Sequence, residues 1–174
     1  MQVKLVTVDD AVQLSKFYNE NGEHLRAWEP RRESGYHSLE AWEERLREWC
    51  SKQEGNDSAH FVLSTTNDVE IIAVCSLTNI VKGPFMACHM GYAVARKHEG
   101  KGFMKLLCQE VVDYAFAELS LNRVMANYMP SNHRSARLLE SLGFTKEGVA
   151  RRYLKINGCW EDHILTSLLS PRNS

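Results

Sequence analysis

Between residues 58 and 95 the apolar residues repeat at a period near two, not 3.6, in three consecutive runs: SAHFVLST, VEIIAVCSLTNI and FMACHMGYAVA. Short breaks at residues 66–68 and 82–84 separate them. Strands joined so tightly pair with their sequence neighbours, so the spacing predicts an antiparallel meander. Gly91 interrupts the third run and predicts a bulge or the close approach of another backbone. Ahead of the meander, residues 2–8 alternate like a strand. Asp9 and Asp10 then offer a cap for a helix over AVQLSKFYNEN, and Leu39, Trp42, Leu46 and Trp49 mark an amphipathic helix over 39–52. After it come a helix over 101–119, a strand over 123–129, a helix over 131–144 and a hairpin of TKEGVARRYLKI and CWEDHILTSLL about residues 157–158. The expectation is a mixed α/β (α+β) sheet in one domain, residues 1–174, with no repeat or linker to divide it.

Chemistry concentrates in residues 92–104, YAVARKHEGKGFM, where a strand ends in a loop holding Gly100 and Gly102 and a helix begins at once. Glycines let backbone N–H groups turn toward an anion, and a helix start adds unpaired donors and the positive end of its dipole. A pyrophosphate fits such a cradle, with Arg96, Lys97 and Lys101 adding screened attraction. A tight turn without a ligand is the plain alternative. A Walker loop needs Gly-Lys-Ser/Thr, but Phe103 follows Gly102; the third glycine of a dinucleotide fingerprint is also missing.

Net charge is −1, which disfavours a uniformly basic nucleic-acid binder, and no direct nucleic-acid binding is expected. The cysteines at 50, 75, 88, 108 and 159 are odd in number and lack CxxC spacing, so neither a disulfide framework nor a metal site is expected. The start, MQVKLVTVDD, has no signal-like apolar region, and no run approaches membrane-span length. A soluble cytoplasmic protein, without membrane partners, is the expectation.

The segment Lys97-x-x-Gly100-x-Gly102 resembles the acyl-CoA-binding motif of the GCN5-related N-acetyltransferase (GNAT) superfamily, with Lys97 standing where Gln or Arg is usual. A second element resembles the same family: Asn132-x-x-Ser135-x-x-Leu138-Leu139-Glu140-x-x-Gly143-Phe144. LRAWEPRRES, NIVKGPFMACHMGY, RVMANYMPSNHRSARLLESLGFTKEG and the final Gly-x-Trp-x-Asp-His extend the likeness along the chain, toward the branch that acetylates ribosomal-protein N-termini. The resemblance implies a single-domain GNAT fold: a mostly antiparallel sheet, flanked by helices, that splays between the strands around 86–95 and 123–129. It implies acetyl-CoA held by Tyr92, Val94, Arg96, Lys97, Gly100, Lys101, Gly102, Phe103, Met104, Asn132 and Ser135. The implied acceptor is the α-amino group of an alanine-starting small-subunit ribosomal protein, with possible ribosome association and a monomer or homodimer. Asn132 or Ser131 also reads as a helix cap, and the two roles are compatible.

Direct attack on the thioester needs a group to carbonyl oxygen, a group to sulfur and a base. An N–H near Tyr92 or Ala93 serves the first. Ser135, then Tyr128, serves the second. Glu29, beside Trp28 and Pro30, is the expected base because desolvation there would raise its pKa; a solvent charge or a partner for Arg31 or Arg32 is the alternative. His89 is a second candidate, though a satisfied structural histidine is the commoner case. Glu161, Asp162 and His163 are substrate-facing candidates only, because alternation separates strand neighbours. Trp28, Tyr36, Tyr128 and Trp160 line a groove or pack in the core. A small-amine or antibiotic acetyltransferase, and a silent CoA-binding ribosome-associated module, are the competing readings.

Overall fold

The computed structural model describes residues 1–67 and 70–171; Asp68 and Val69, expected to end a turn and open a strand, lie outside the described residues. In chain order the elements are β1 (Gln2–Leu5), α1 (Ala11–Leu25), α2 (Leu39–Glu54), β2 (Ala59–Ser64), β3 (Ile71–Val81), β4 (Ala87–Val94), α3 (Phe103–Ala117), β5 (Arg123–Met125), α4 (His133–Ser141), β6 (Thr145–Ile156) and β7 (Cys159–Leu169). They build a seven-stranded sheet of order β1-β2-β3-β4-β5-β7-β6. Only β4 and β5 run parallel among the described strands; the other neighbours are antiparallel, as the meander and hairpin require.

Local chemistry sets the element ends. Ser38 caps α2 by accepting the Ala41 N–H at 3.2 Å. The first strand stops at Leu5, short of the expected Val8, because the buried Asp10 carboxylate folds the chain back, accepting the Thr7 N–H at 2.8 Å and pairing with Lys4 at 3.0 Å. The third helix starts at Phe103 rather than residue 101, since Gly102 sits at φ 81°.

Two corrections concern the strands. The β3–β4 register runs unbroken from Thr78↔His89 to Ala73↔Val94, so no bulge lies at Gly91. The irregularity falls on β3 between Thr78 and Val81, where Asn79 takes φ 49°. The strand expected over 123–129 pairs regularly only over Arg123–Met125. Beyond it, a single bridge joins Tyr128 to Ile164.

Each sheet face buries its own cluster. Against one, α3 packs Leu107, Val111, Val112 and Ala115 on Leu63, Cys75, Leu77, Cys88 and Met90. Against the other, α1 and α2 pack Leu14, Phe17, Trp42 and Leu46 on Val62, Ile71 and Ala95. The sheet is therefore sandwiched by helices, and a defect in its middle opens to both faces.

Leu107 is fully enclosed, at 0% exposure. Leu107→Ala should cost about 2–5 kcal/mol through lost transfer energy and the residual cavity. Urea denaturation should show a lower midpoint at unchanged slope.

Candidate active site

The middle of the sheet parts. Pairing between β4 and β5 covers only Ala87, Cys88 and His89 against Arg123, Val124 and Met125. Past that point the chain follows β7 instead: the Ala126 N–H reaches the Thr166 carbonyl at 3.1 Å, and Tyr128 exchanges two bonds with Ile164 at 3.2 and 2.8 Å. Meanwhile β4 continues to Val94 with its outer edge unpaired. The Ala95 N–H donates to the Ile72 carbonyl at 2.9 Å, which fixes the alternation: odd-numbered amides turn to β3 and those of Tyr92 and Val94 to the open edge. Of the two candidates for a carbonyl-polarising amide, Tyr92 faces the gap and Ala93 does not.

A cavity of about 490 Å³ passes through this gap. Tyr92, Tyr128, Asn132 and Ser135 line one side; Ser76, Thr78 and Gly91 floor it; Tyr18, Trp28, Glu29, Pro30, Ile156 and His163 surround the other mouth. Gly91 widens the passage instead of bulging the strand. A Cβ there would stand 3.7 Å from Ser76 Oγ and point into the space the cavity occupies.

At the end of β4, Gly100 and Gly102 take φ 72° and 81° with nothing within 4 Å of either virtual Cβ. Backbone conformation, not crowding, is what demands glycine here. Among the described residues no acceptor takes the amides of Gly100, Lys101, Gly102, Phe103, Met104 or Lys105, and no side chain caps α3. Six consecutive free donors at a helix start suit a pyrophosphate. The cations divide. Lys97 Nζ turns away to Glu70 at 2.8 Å, a bond that raises its pKa and lowers that of Glu70. Arg96 and Lys101 have no carboxylate partner among the described residues, although the Arg96 N–H itself is tied to Asn21 Oδ1 at 2.9 Å. Glu99, just before the loop, pairs with Arg134 on α4 and lies 3.4 Å from His24 on α1.

Asn132 caps α4, its Oδ1 accepting the Ser135 N–H at 3.1 Å. That leaves the Asn132 Nδ2 donors for another acceptor across the cavity. Ser135, only 8% exposed, shares a hydrogen bond of 2.5 Å with the Tyr92 hydroxyl. Burial pushes the Tyr92 phenol well above its ordinary pKa, an effect that the Ser135 bond only partly offsets. Sequence reasoning reached Tyr92 through its backbone alone; its hydroxyl contact was not visible in spacing.

The other mouth is aromatic. Trp28, Glu29 and Pro30 stand at its rim, and the Asn157 N–H in the β6–β7 turn holds the Glu29 carbonyl at 2.9 Å. Burial raises the Glu29 carboxyl pKa, with Arg32 opposing. Behind it, Tyr18 stacks on His37 (4.7 Å, 3°) and Trp42 (5.1 Å, 24°), and Trp49 stacks on His60 at 3.6 Å. Burial lowers both His37 and His60 to about 4, so both rings are neutral at physiological pH. His163, 4% exposed, lines the cavity with its Nδ1 on the Glu161 carbonyl at 3.1 Å. Of the three neighbours Glu161, Asp162 and His163, alternation sends Asp162 outward, where Oδ1 accepts the Arg152 N–H at 2.8 Å.

Other expected residues lie elsewhere. His89 does not line the cavity; its Nδ1 is buried without a partner and burial lowers its pKa. Trp160 is 61% exposed outside the groove. Tyr36 is clamped between the Arg32 and Arg45 guanidinium groups at 4.4 and 4.0 Å.

A family model described as an acetyltransferase (GNAT) domain matches residues 2–145. The chain is 40% identical over 169 residues, 97% of its length and 87% of the relative's, to the [ribosomal protein uS5]-alanine N-acetyltransferase of Escherichia coli. It is similar to a solved ribosomal-protein-S5-alanine acetyltransferase from Vibrio fischeri, with a TM-score of 0.94 at 40% identity over 98% of this chain and 93% of that one. Mycobacterium smegmatis RimJ, solved with CoA-disulfide, superposes with a TM-score of 0.89 at 26% identity, covering 98% of this chain and 82% of the other.

Because Gly102 occupies the left-handed region, Gly102→Ala should lose roughly 1 kcal/mol of stability although space is open. It should also disturb the free amides and weaken coenzyme A binding, measured by titration calorimetry beside thermal denaturation.

Proposed function

We propose that this chain, which belongs to the acetyltransferase (GNAT) family, acetylates the N-terminal α-amino group of an alanine-starting small-subunit ribosomal protein. It is an N-acetyltransferase enzyme and acetyl-CoA is its cosubstrate. What carries the acceptor assignment is the extent of the likeness to the uS5-alanine enzyme, over 97% of this chain. It includes the loop bearing Trp28 and Glu29 and the β6–β7 hairpin, which line the acceptor mouth, and so reaches beyond the coenzyme cradle. The loop that bears Glu29 also carries Arg31 and Arg32, which suits a peptide better than a polycation.

Residues 1–174 act as one domain in this reading. The cradle amides from Gly100 to Met104, with Arg96 and Lys101, take the pyrophosphate; Asn132 Nδ2 and the Val94 edge take the pantetheine arm. The Tyr92 N–H donates to the thioester carbonyl oxygen as charge grows there. Ser135 donates to the departing sulfur, with Tyr128 as the nearby second hydroxyl. Glu29, its pKa raised by burial, receives the proton that the attacking amine must lose. The nitrogen bonds to the carbonyl carbon, the C–S bond breaks with its pair on sulfur, and the proton shed by nitrogen is balanced by the one sulfur gains. Holding amine and thioester in register supplies much of the rate. The acceptor meets this chain at the ribosome or during its assembly, in the cytoplasm, with the chain a monomer or homodimer. No helix among the described residues is long and apolar enough to cross a membrane.

Incubation with acetyl-CoA and peptides matching the N-termini of small-subunit ribosomal proteins should add one acetyl group to an alanine-starting peptide and release one thiol. Acetylation of spermidine in place of every peptide would overturn the acceptor. Ser135→Ala should lower kcat by about 10²-fold, the lower end for a lost acid–base group. Glu29→Gln should slow the reaction below about pH 8, where the α-amino group is protonated and a base is needed, and converge on the parent above it. A pH–rate profile of unchanged shape would remove Glu29 from the role.

A further inference from the structure

We propose that Tyr92 is a positioning residue for acetyl transfer: its side-chain hydroxyl donates to Ser135 Oγ and thereby aims the Ser135 proton at the leaving sulfur. This rests on the reading of Ser135 given above. A serine hydroxyl has one proton and rotates about its Cβ–Oγ bond, so alone it has no preferred target. Here it has one partner among the described residues, the Tyr92 hydroxyl at 2.5 Å. Both ends of that bond are anchored. Tyr92 is fixed by its β3 pairing with Cys75, and Ser135 by the Asn132 cap on the first turn of α4.

By position either hydroxyl can donate; the phenol, the more acidic of the two, is taken as the donor. Tyr92 is buried beside the Cys75 and Cys108 thiols and the Tyr128 hydroxyl, all of which disfavour a negative charge on it. The phenol therefore keeps its proton at every working pH, and Ser135 is its only hydrogen-bond partner among the described residues. With a Ser135 lone pair taken by Tyr92, the serine proton must point elsewhere, and the cavity is the open side. The reverse direction would spend the single serine proton on Tyr92 and leave none for sulfur. Donation from Tyr92 also polarises the serine O–H, strengthening the bond it offers in turn. No proton leaves Tyr92 in the cycle.

The test compares Tyr92→Phe, Ser135→Ala and the double variant with acetyl-CoA and the accepted peptide. Tyr92→Phe should bind coenzyme A normally, keep its KM for acetyl-CoA and lose roughly tenfold in kcat. The double variant should be no slower than Ser135→Ala, because Tyr92 acts through Ser135. Unchanged kcat in Tyr92→Phe while Ser135→Ala is slow overturns the proposal alone, as do losses that multiply in the double variant. Unchanged kcat in Ser135→Ala overturns the underlying assignment and the proposal with it. A fluorotyrosine placed at 92 keeps the shape and improves the donor, so it should hold or raise kcat; a fall would overturn the proposal even if Tyr92→Phe does not fold.

Discussion

Everything at the site depends on two parallel strands ceasing to pair. After Met125 the chain is claimed by β7, through the Ala126 and Tyr128 bonds, and β4 runs on alone for five residues, from Met90 to Val94. A buried strand edge normally carries a cost, because unpaired amides lose water without gaining a partner. Here that unmet demand is directed: the Tyr92 and Val94 donors face the open edge of the strand, with Tyr92 lining the cavity. The same divergence swings the start of α4 to where Ser135 meets Tyr92, so one hydroxyl bond spans what the backbone leaves open.

The passage wall is mostly aromatic and apolar, with Glu29 and Lys155 as its charged side chains among the described residues. His60 is neutral, Tyr18 and Tyr92 are held protonated by burial, and burial raises the pKa of the Glu29 carboxyl. Burial against such walls disfavours an ammonium group relative to the free amine.

The sequence made the outline legible wherever a local rule applies. Period-two runs located the meander, Asn157 and Gly158 located the hairpin, and Gly100 and Gly102 located the cradle through conformations that only glycine takes easily. Failures came where a residue answers to a distant one. Gly91 satisfies the usual signature of a bulge, yet it serves cavity width; Asn79 bends β3 without any glycine to announce it. The strand after Arg123 has the pattern of a long strand, but its pairing is set by competition between β4 and β7, which no window of residues contains. Tyr92 and Ser135 are joined from opposite sides of the gap, and His163 enters the cavity only because the hairpin folds back beside Glu29.

The Asn157 N–H to Glu29 carbonyl bond has a further bearing. It fastens a loop near the start of the chain to a turn near its end, closing the acceptor mouth from both sides. A single backbone bond of this kind contributes on the order of 1 kcal/mol, far less than the packed core beneath α3. Amide exchange at Asn157 should therefore report on that bond separately from global unfolding. Glu29 and Ile156, far apart in the chain, thus line one mouth together.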